Sequence, residues 1–452
     1  MTDPTRFDPL GPLRGALRPP ADKSISHRAA MIAAMGEGET EVVGYLDAAD
    51  TRSTLAAVAA VGARLVAEDT GPAAVGTGDG LGAPHLLISG VGLRGARSAD
   101  IDVGNAGTLL RLLPGWLAGQ PQGRWILDGD ASIRRRPVDR IAEPLGRMGA
   151  RLRPHAENRL PPLEIEAAPL DGITYELPIA SAQVKSCLLF AALLAAGETR
   201  VVEPLPTRDH TERMLAAAGA EVRRDGDVIV VAPAERLEPG RIVVPADFSS
   251  AAFFIVAATI VPGSDVLLHR VGLNPTRTGL LDILRRMGAE GIEVTELSAD
   301  GGEPIGDIRV AHSALHGCEV GGADVPLAID ELPLVALAAC FAEGATTIGD
   351  AVELRRKESD RIATVTDALR ALGGSVEPTE DGMAIEGTGG LRGGAIDSHG
   401  DHRIAMLGAV AGVASRGGVE VAGMDAAAVS YPGFETDLGT LRHGPPPRDP
   451  VH

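Results

Sequence analysis

With 452 residues, 61 Asp+Glu against 42 Lys+Arg and a formal charge of −19, the chain is long enough for two full cores and has the wrong sign for a nucleic-acid footprint or an anionic membrane surface. Any site for an anionic substrate must therefore be a local gathering of cations inside an acidic protein. Cys187, Cys318 and Cys340 lie far apart without Cys-x-x-Cys spacing, which excludes a disulfide framework or zinc site and fits buried thiols in a reducing compartment.

Met1 to Leu10 lacks the charged-then-apolar pattern of a signal segment, so a cytoplasmic protein is expected. Met1 to Asp8 is polar and reads as a loose end, as does the proline-rich His443 to His452. The first strong element follows Pro19-Pro20, which force an extended approach. Asp22, Ser24 and Ser26 offer N-cap chemistry before an Ala/Met/Ile run, so a helix is predicted to start at Lys23. Helix starts attract anions, so Lys23, Ser24 and Arg28 read as a phosphate or carboxylate seat; a cap with solvated basic side chains is the plainer reading.

The same device recurs. A capped motif opens an apolar helix that ends at glycine and runs into a strand from Lys23 to Val43, Gly104 to Leu127, Ser181 to Val202, Asp247 to Leu268, Ile329 to Ile348 and His399 to Val421. Gly-Glu-Thr, Gly-Ser-Asp, Gly-Ala-Thr and Gly-Gly-Val sequences are expected to put glycine at the C′ position of these opening helices. A second helix ends in Gly62-Ala63, Gly149-Ala150, Gly219-Ala220, Gly288-Ala289 and Gly373-Gly374, and short alternating segments follow. The last copy stops after Tyr431-Pro432-Gly433-Phe434. Six units imply two three-unit domains with a boundary near Val244-Pro245, a strand from Met1 to Arg18 belonging to the C-terminal half, and helix starts converging on a cleft. The apolar runs near Ser186, Ala251 and Leu332 are too short to span a bilayer and read as buried helices.

Several helix starts carry chemistry. Gly104-Asn105-Ala106-Gly107-Thr108, followed by Arg111, lets backbone approach an anion but lacks the Gly-Lys-Ser/Thr of a Walker A loop. Gly76 to Gly82 has no strand-to-helix frame and less claim. Of Arg134-Arg135-Arg136, Arg136 beside Pro137 is the expected anion ligand, since three adjacent side chains cannot face one ligand. Ser181-Ala182-Gln183-Val184-Lys185 supplies a hydroxyl, an amide and a cation. Thr207-Arg208-Asp209-His210-Thr211-Glu212 and Asn274-Pro275-Thr276-Arg277 start second helices, and Asp247-Phe248-Ser249-Ser250 reads as a structural cap. Asp330-Glu331 opens the fifth apolar helix. In Arg355 to Arg361, Lys357 and Arg361 are four apart and are predicted to share a helical face, with Glu358 and Asp330 as acid and base candidates. His399-Gly400-Asp401-His402-Arg403 is a weak metal signature, and Arg403 fits better as another anion ligand.

Leu17 to Ser24, Gly104 to Thr108, Arg136-Pro137, Ser181-Ala182-Gln183, Lys357 to Arg361 and Asp401 to Met406 together resemble the 5-enolpyruvylshikimate-3-phosphate synthase family of enolpyruvyl transferases, over about residues 10 to 440. The resemblance implies an α/β fold of two globular domains, each of three βαβαββ repeats in an inside-out α/β barrel-like arrangement: 21–245 as one, 1–20 with 246–442 as the other, and 443–452 as a disordered tail. It implies a transferase of the shikimate pathway (chorismate and aromatic amino acid biosynthesis), a glyphosate target. The enolpyruvyl group of phosphoenolpyruvate passes to the 5-hydroxyl of shikimate 3-phosphate by addition and elimination, without metal or organic cofactor, in a monomer.

Carried over by position, Lys23, Ser24, Arg28, Ser181, Ala182, Gln183, Arg208, Asp330 and Lys357 resemble the shikimate-phosphate contacts. Lys23, Gly107, Arg136, Gln183, Arg361 and Arg403 resemble the phosphoenolpyruvate set. Asp330 resembles the base, and Glu358 with Lys23 the proton-donor side. Two departures stand out: Val429 replaces a lysine common in a C-terminal strand-like motif, and the glyphosate-class signals conflict, with Ala21 and Gly107 against the tolerant class. Gly107 leads to an expectation of inhibition. Rivals are a UDP-N-acetylglucosamine enolpyruvyl transferase, whose loop cysteine is Ala131 here, and a non-catalytic anion-binding relative.

Overall fold

The computed structural model describes residues 3–68, 85–298 and 300–442. Gly76 to Gly82 and the tail 443–452 lie outside them. The chain divides into two compact units: Ala21–Pro245 with Ala299–Glu303, and Met1–Pro20 with Ala246–Ser298 and Pro304–His452. Each has its own hydrophobic core.

The first unit carries helices α1 (Lys23–Met35), α2 (Ala49–Ala60), α3 (Gly107–Ala118), α4 (Asp139–Arg147), α5 (Ala182–Ala192) and α6 (His210–Ala217). The opening helices α1, α3 and α5 are apolar around most of their circumference, and a helix of that kind is stable only when buried on every side. In α1 every residue from Ile25 to Met35 is buried, and α3 packs on both α1 and α5. The partners are two-faced: α4 buries Ile141, Pro144 and Leu145 and exposes its charged residues.

The second unit repeats the plan with α7 (Phe248–Ile260), α8 (Gly279–Arg286), a short α9 (Asp324–Ala328), α10 (Leu332–Ala339), α11 (Arg361–Ala371), α12 (His402–Ala414) and α13 (Phe434–Thr440). All of α7 and α10 is buried, and α7, α10 and α12 pack on one another. Tyr431 and Phe434 then stack against Phe253 and Phe254 of α7, so the end of the last repeat is an aromatic plug on the central helices.

Five repeats build a four-stranded sheet with one order: the strand after the opening helix runs parallel to an edge strand, which in three of the repeats is the strand before that helix, and antiparallel to the nearer strand of a hairpin. Ala99–Asp102 and Arg124–Asp128 are such a parallel pair, joined by the crossover helix that parallel pairing demands. Two repeats lack a preceding strand of their own. Arg241–Val243 returns to pair with Glu39–Val43, and Arg14–Leu17 pairs with the strand that starts at Asp265. In the sixth, Thr5–Phe7 pairs antiparallel with Val419–Val421. Thr5–Phe7, within the stretch read as a loose end, is thus ordered: a polar segment extends because a sheet edge offers partners for its backbone.

The glycine stops are distributed differently from the sequence expectation. The C′ glycines belong to the second helices: Gly62, Gly149, Gly219, Gly288 and Gly373 hold φ between +92° and +112°. In each, the C′ amide bonds the C2 carbonyl and the next amide bonds C3, as Gly62 N–H does to Ala59 and Ala63 N–H to Val58, at 3.0 Å each. After α1, α5, α7, α10 and α12 the left-handed glycine (Gly38, Gly197, Gly263, Gly344, Gly418) comes later, in the turn into the strand. The segment before Tyr431 is a 3-10 turn, Met424–Val429, rather than strand-like, and Val429 is 48% exposed.

Candidate active site

In the first unit the helix starts form two clusters. Asp22 caps α1, accepting from Ile25 N–H at 2.8 Å, and so sets Lys23 and Ser24 on the first turn. Lys23 Nζ reaches Asp50 Oδ2, on the first turn of α2, at 3.3 Å. Burial would raise the Asp50 carboxyl, but the hydrogen bonds and charges of His27 and Lys23 prevail and hold it at about 2. His27, fully buried, is pushed down by burial. Arg28 is 3% exposed and donates to Thr211 Oγ1 at 2.7 Å, Ser186 Oγ at 2.9 Å and the Ser24 carbonyl at 2.9 Å.

The second cluster joins α3 to α5. Arg111 donates to Gln183 Oε1 at 2.7 Å, and Gln183 Nε2 donates to Thr108 Oγ1 at 3.2 Å, so the amide orientation is set by its two neighbours. Arg111 is brought down to about 10, first by burial and then by Arg140 and Arg136, which makes this a cationic spot in an acidic protein. Gly107 borders Arg136: a Cβ there would overlap Nη1 and come within 3.3 Å of Cζ. Arg134 instead pairs with Asp128 at 2.7 Å, and Arg135 is exposed. Ser181 caps α5 through Val184 N–H at a long 3.4 Å.

Lys185 does not join these cations. Entirely buried, it lies 2.7 Å from both Glu203 and Glu212, an internal staple between α5 and α6. Burial pushes the Glu212 carboxyl up against the pull of Lys185. Arg208, before α6, is half-buried.

In the second unit the helix starts converge on Asp330. Its Oδ1 lies 3.2 Å from Lys357 Nζ and 3.4 Å from Arg361 Nη1; its Oδ2 lies 3.7 Å from Arg277 Nη1 and 3.9 Å from Arg403 Nη2. Arg403 Nη1 also donates to the Asp330 carbonyl at 3.0 Å. Arg361, 1% exposed, sits between carboxylates: Asp401 at 2.9 Å, Glu358 at 2.6 Å and Asp330. Asp401 additionally caps α12 through the backbone N–H of Arg403 at 2.9 Å, so one buried carboxylate holds the Arg361 guanidinium and fixes the helix start that carries Arg403. Burial works against its ionisation, but Arg361 holds it below the usual range. For Glu358 partial burial likewise raises and Arg361 lowers, and the net direction is down.

Lys357 and Arg361 do not share a helical face. Asp360 caps α11, Arg361 is its first residue, and Lys357 is extended after a 3-10 turn; they meet at Asp330 from two separate elements. The His399–Arg403 motif is an N-cap and arginine support, and no group able to hold a metal occurs among the described residues. Asp247 to Ser250, which reads in the sequence as a structural cap, and Arg277, which reads only as part of a helix start, both belong to this cluster: Arg277 donates to Ser249 Oγ at 2.6 Å while facing Asp330. Glu331, buried, accepts from Ser249 and lies 3.5 Å from Arg403. Their signal was positional: each stands at a helix start of its repeat.

The family profile described as EPSP synthase (3-phosphoshikimate 1-carboxyvinyltransferase) matches residues 7–438. The chain belongs to this family. It is similar to the 3-phosphoshikimate 1-carboxyvinyltransferase of Alkalilimnicola ehrlichii, 49% identical over 429 residues, 94% of this chain and 93% of the relative. The protein of the same description from Nitrosococcus oceani is 48% identical over 443 residues, 96% of each. Among solved structures, EPSP synthase from Acinetobacter baumannii matches at a TM-score of 0.86 and 43% identity, covering 97% of this chain and 98% of its own. The enolpyruvyl transferase NikO from Streptomyces tendae, at 18% identity, a TM-score of 0.76 and 98% of both chains, shares the fold. The fold is accordingly the two-domain α/β enolpyruvyl transferase fold, and the chain is an enzyme of aromatic biosynthesis. No helix among the described residues is long and apolar enough to cross a membrane.

Proposed function

We propose that the chain transfers the enolpyruvyl group of phosphoenolpyruvate to the 5-hydroxyl of shikimate 3-phosphate, releasing phosphate. The observation that carries the site assignment is the ring of Lys357, Arg361, Arg277 and Arg403 around Asp330. A carboxylate among four cations has few uses in a fold core. As a base it takes the proton of the attacking hydroxyl, while the same cations hold the phosphate and carboxylate charge of the adduct. The carbon–oxygen bond forms at C2 of the enol as C3 gains a proton. The adduct then loses the C3 proton and expels phosphate, restoring the double bond.

Lys357 and Asp330, with Lys23, Ser24, Arg28, Ser181, Ala182, Gln183 and Arg208, take shikimate 3-phosphate in this reading. Arg361, Arg403, Gly107, Arg136, Gln183 and Lys23 take phosphoenolpyruvate. Glu358 and Lys23 stand on the proton-donor side. Glu358 is held ionised by Arg361 at 2.6 Å, so it becomes a donor only once an anionic substrate engages that arginine. The UDP-N-acetylglucosamine rival finds no activated thiol here: burial raises Cys187, Cys318 and Cys340, the last to about 12. Phosphate release from phosphoenolpyruvate with shikimate 3-phosphate, against UDP-N-acetylglucosamine, tests the reading; release with the sugar nucleotide alone, or with neither, overturns it.

A further inference from the structure

Arg28 is a buried guanidinium with no ion pair among the described residues. Its three hydrogen-bond acceptors, Thr211 Oγ1, Ser186 Oγ and the Ser24 carbonyl, are all neutral. These take three of its five N–H groups and leave one on each terminal nitrogen. Burial brings it down to about 10. The carboxylates of Glu212, Asp22 and Glu303 act on it from a distance, none in a direct ion pair, and burial outweighs them. A guanidinium kept dry with only neutral hydrogen-bond partners is costly, and such a cost is retained where an anionic ligand meets it.

What holds the guanidinium is directional. Thr211 Oγ1–H donates to Ser186 Oγ at 2.7 Å, and Ser186 Oγ–H donates to the Ala182 carbonyl at 2.7 Å. That carbonyl can only accept, so each hydroxyl has its single proton committed down the chain and presents lone pairs to Arg28. The donors cannot reverse without breaking the terminal bond. Thr211 and Ser186, both 0% exposed, are each adjacent in sequence to a member of the Lys185–Glu212 pair that staples α6 to α5 at 2.7 Å. The two hydroxyls therefore sit on a fixed frame.

We infer that Thr211 and Ser186 are positioning residues for shikimate 3-phosphate, acting through Arg28 and ending on Ala182. The inference rests on the reading that Arg28 and Ala182 contact that substrate. Thr211→Val keeps the shape and removes the acceptor; Thr211→Ser restores it; Ser186→Ala breaks the chain one step later and adds no strain to a helix. Steady-state kinetics on the full chain with both substrates varied, together with melting temperature, form the test.

The expected result for Thr211→Val and Ser186→Ala is a KM for shikimate 3-phosphate raised about tenfold, the scale of one lost hydrogen bond to a charged group. The KM for phosphoenolpyruvate changes by less than about threefold, and Thr211→Ser returns to near wild type. Unchanged shikimate-phosphate KM in both variants overturns the inference. So does an equal rise in both KM values that follows the loss in melting temperature, since that marks a general structural role. If Thr211→Val does not fold, Ser186→Ala decides. Wild-type protein that releases no phosphate from this substrate pair overturns the parent reading instead, and that arm is read before any variant.

Discussion

Lys357 and Arg361 meet on the same oxygen, Asp330 Oδ1, at 3.2 and 3.4 Å, although only Arg361 stands on a helix. Lys357 ends the 3-10 turn Val352–Arg356 and Arg361 opens α11 behind its Asp360 cap, so the two cations reach one oxygen from two different elements. Asp330 is therefore more than one partner in a pair, and its removal is the most direct probe of the second unit's cluster.

Asp330→Asn keeps the side chain's size and removes the base. We expect kcat to fall by at least about 100-fold with KM values changed only a few-fold, in the range of a lost general base. Phosphate-release kinetics decide it, and a kcat within about threefold of wild type would remove Asp330 from the chemistry.

Gly107→Ala tests the other unit. The new methyl overlaps the tip of Arg136, and a flexible side chain yields more easily than backbone. The fold should tolerate it, with a melting temperature within about 3 °C of wild type. The KM for phosphoenolpyruvate should rise about tenfold. Glyphosate should inhibit the wild-type chain and do so less in the variant; a wild-type inhibition constant far above the phosphoenolpyruvate KM would contradict the role given to Gly107.

Asp50 offers a pH signature. Its carboxyl is at about 2 in the folded chain against an ordinary 3.8. A depressed folded pKa contributes stability that is present above the unfolded value and lost as pH falls through the folded one. The contribution is ~2 kcal/mol at neutral pH, lost between about pH 4 and pH 2. Urea unfolding of wild type and Asp50→Asn should differ by that amount at pH 7, with the gap shrinking below about pH 4 and closing as pH approaches 2. A gap that stays constant with pH would mean that the carboxylate's charge is not what matters.

Thiol chemistry separates the family's rival reading. Cys187 and Cys340 are buried and all three thiols are raised, so iodoacetamide at pH 7.5 should leave phosphate release within about twofold of the untreated protein. Inactivation paralleling the labelling of one cysteine, measured by mass spectrometry, would reopen a nucleophilic thiol.

The repeats were legible because their punctuation is local. A cap such as Asp22 or Asp401 and a left-handed glycine such as Gly62 act on backbone a few residues away, and an apolar run such as Phe248–Ile260 announces burial by itself. A strand from Met1 to Arg18 in the C-terminal half was expected and two are found, but the polar Thr5–Phe7 read as part of a loose end, because nothing in three polar-flanked residues shows the sheet edge near residue 420 that orders them. Arg277 was passed over because its partners, Ser249 and Asp330, are 28 and 53 positions away.

Lys185 and Lys357 show where each kind of information stops. Both are lysines beside helix starts in an acidic chain, and their neighbours in sequence do not tell them apart. Only packing puts one at 0% exposure between Glu203 and Glu212 and the other at 26% beside Asp330. Sequence alone determined the repeated helix-and-strand plan and the types of residue at its helix starts, because capping, chain reversal and amphipathicity are short-range effects. Which of those charges face one another was decided by the tertiary structure, because Coulomb and desolvation energies depend on distances that the chain sets only after it has folded.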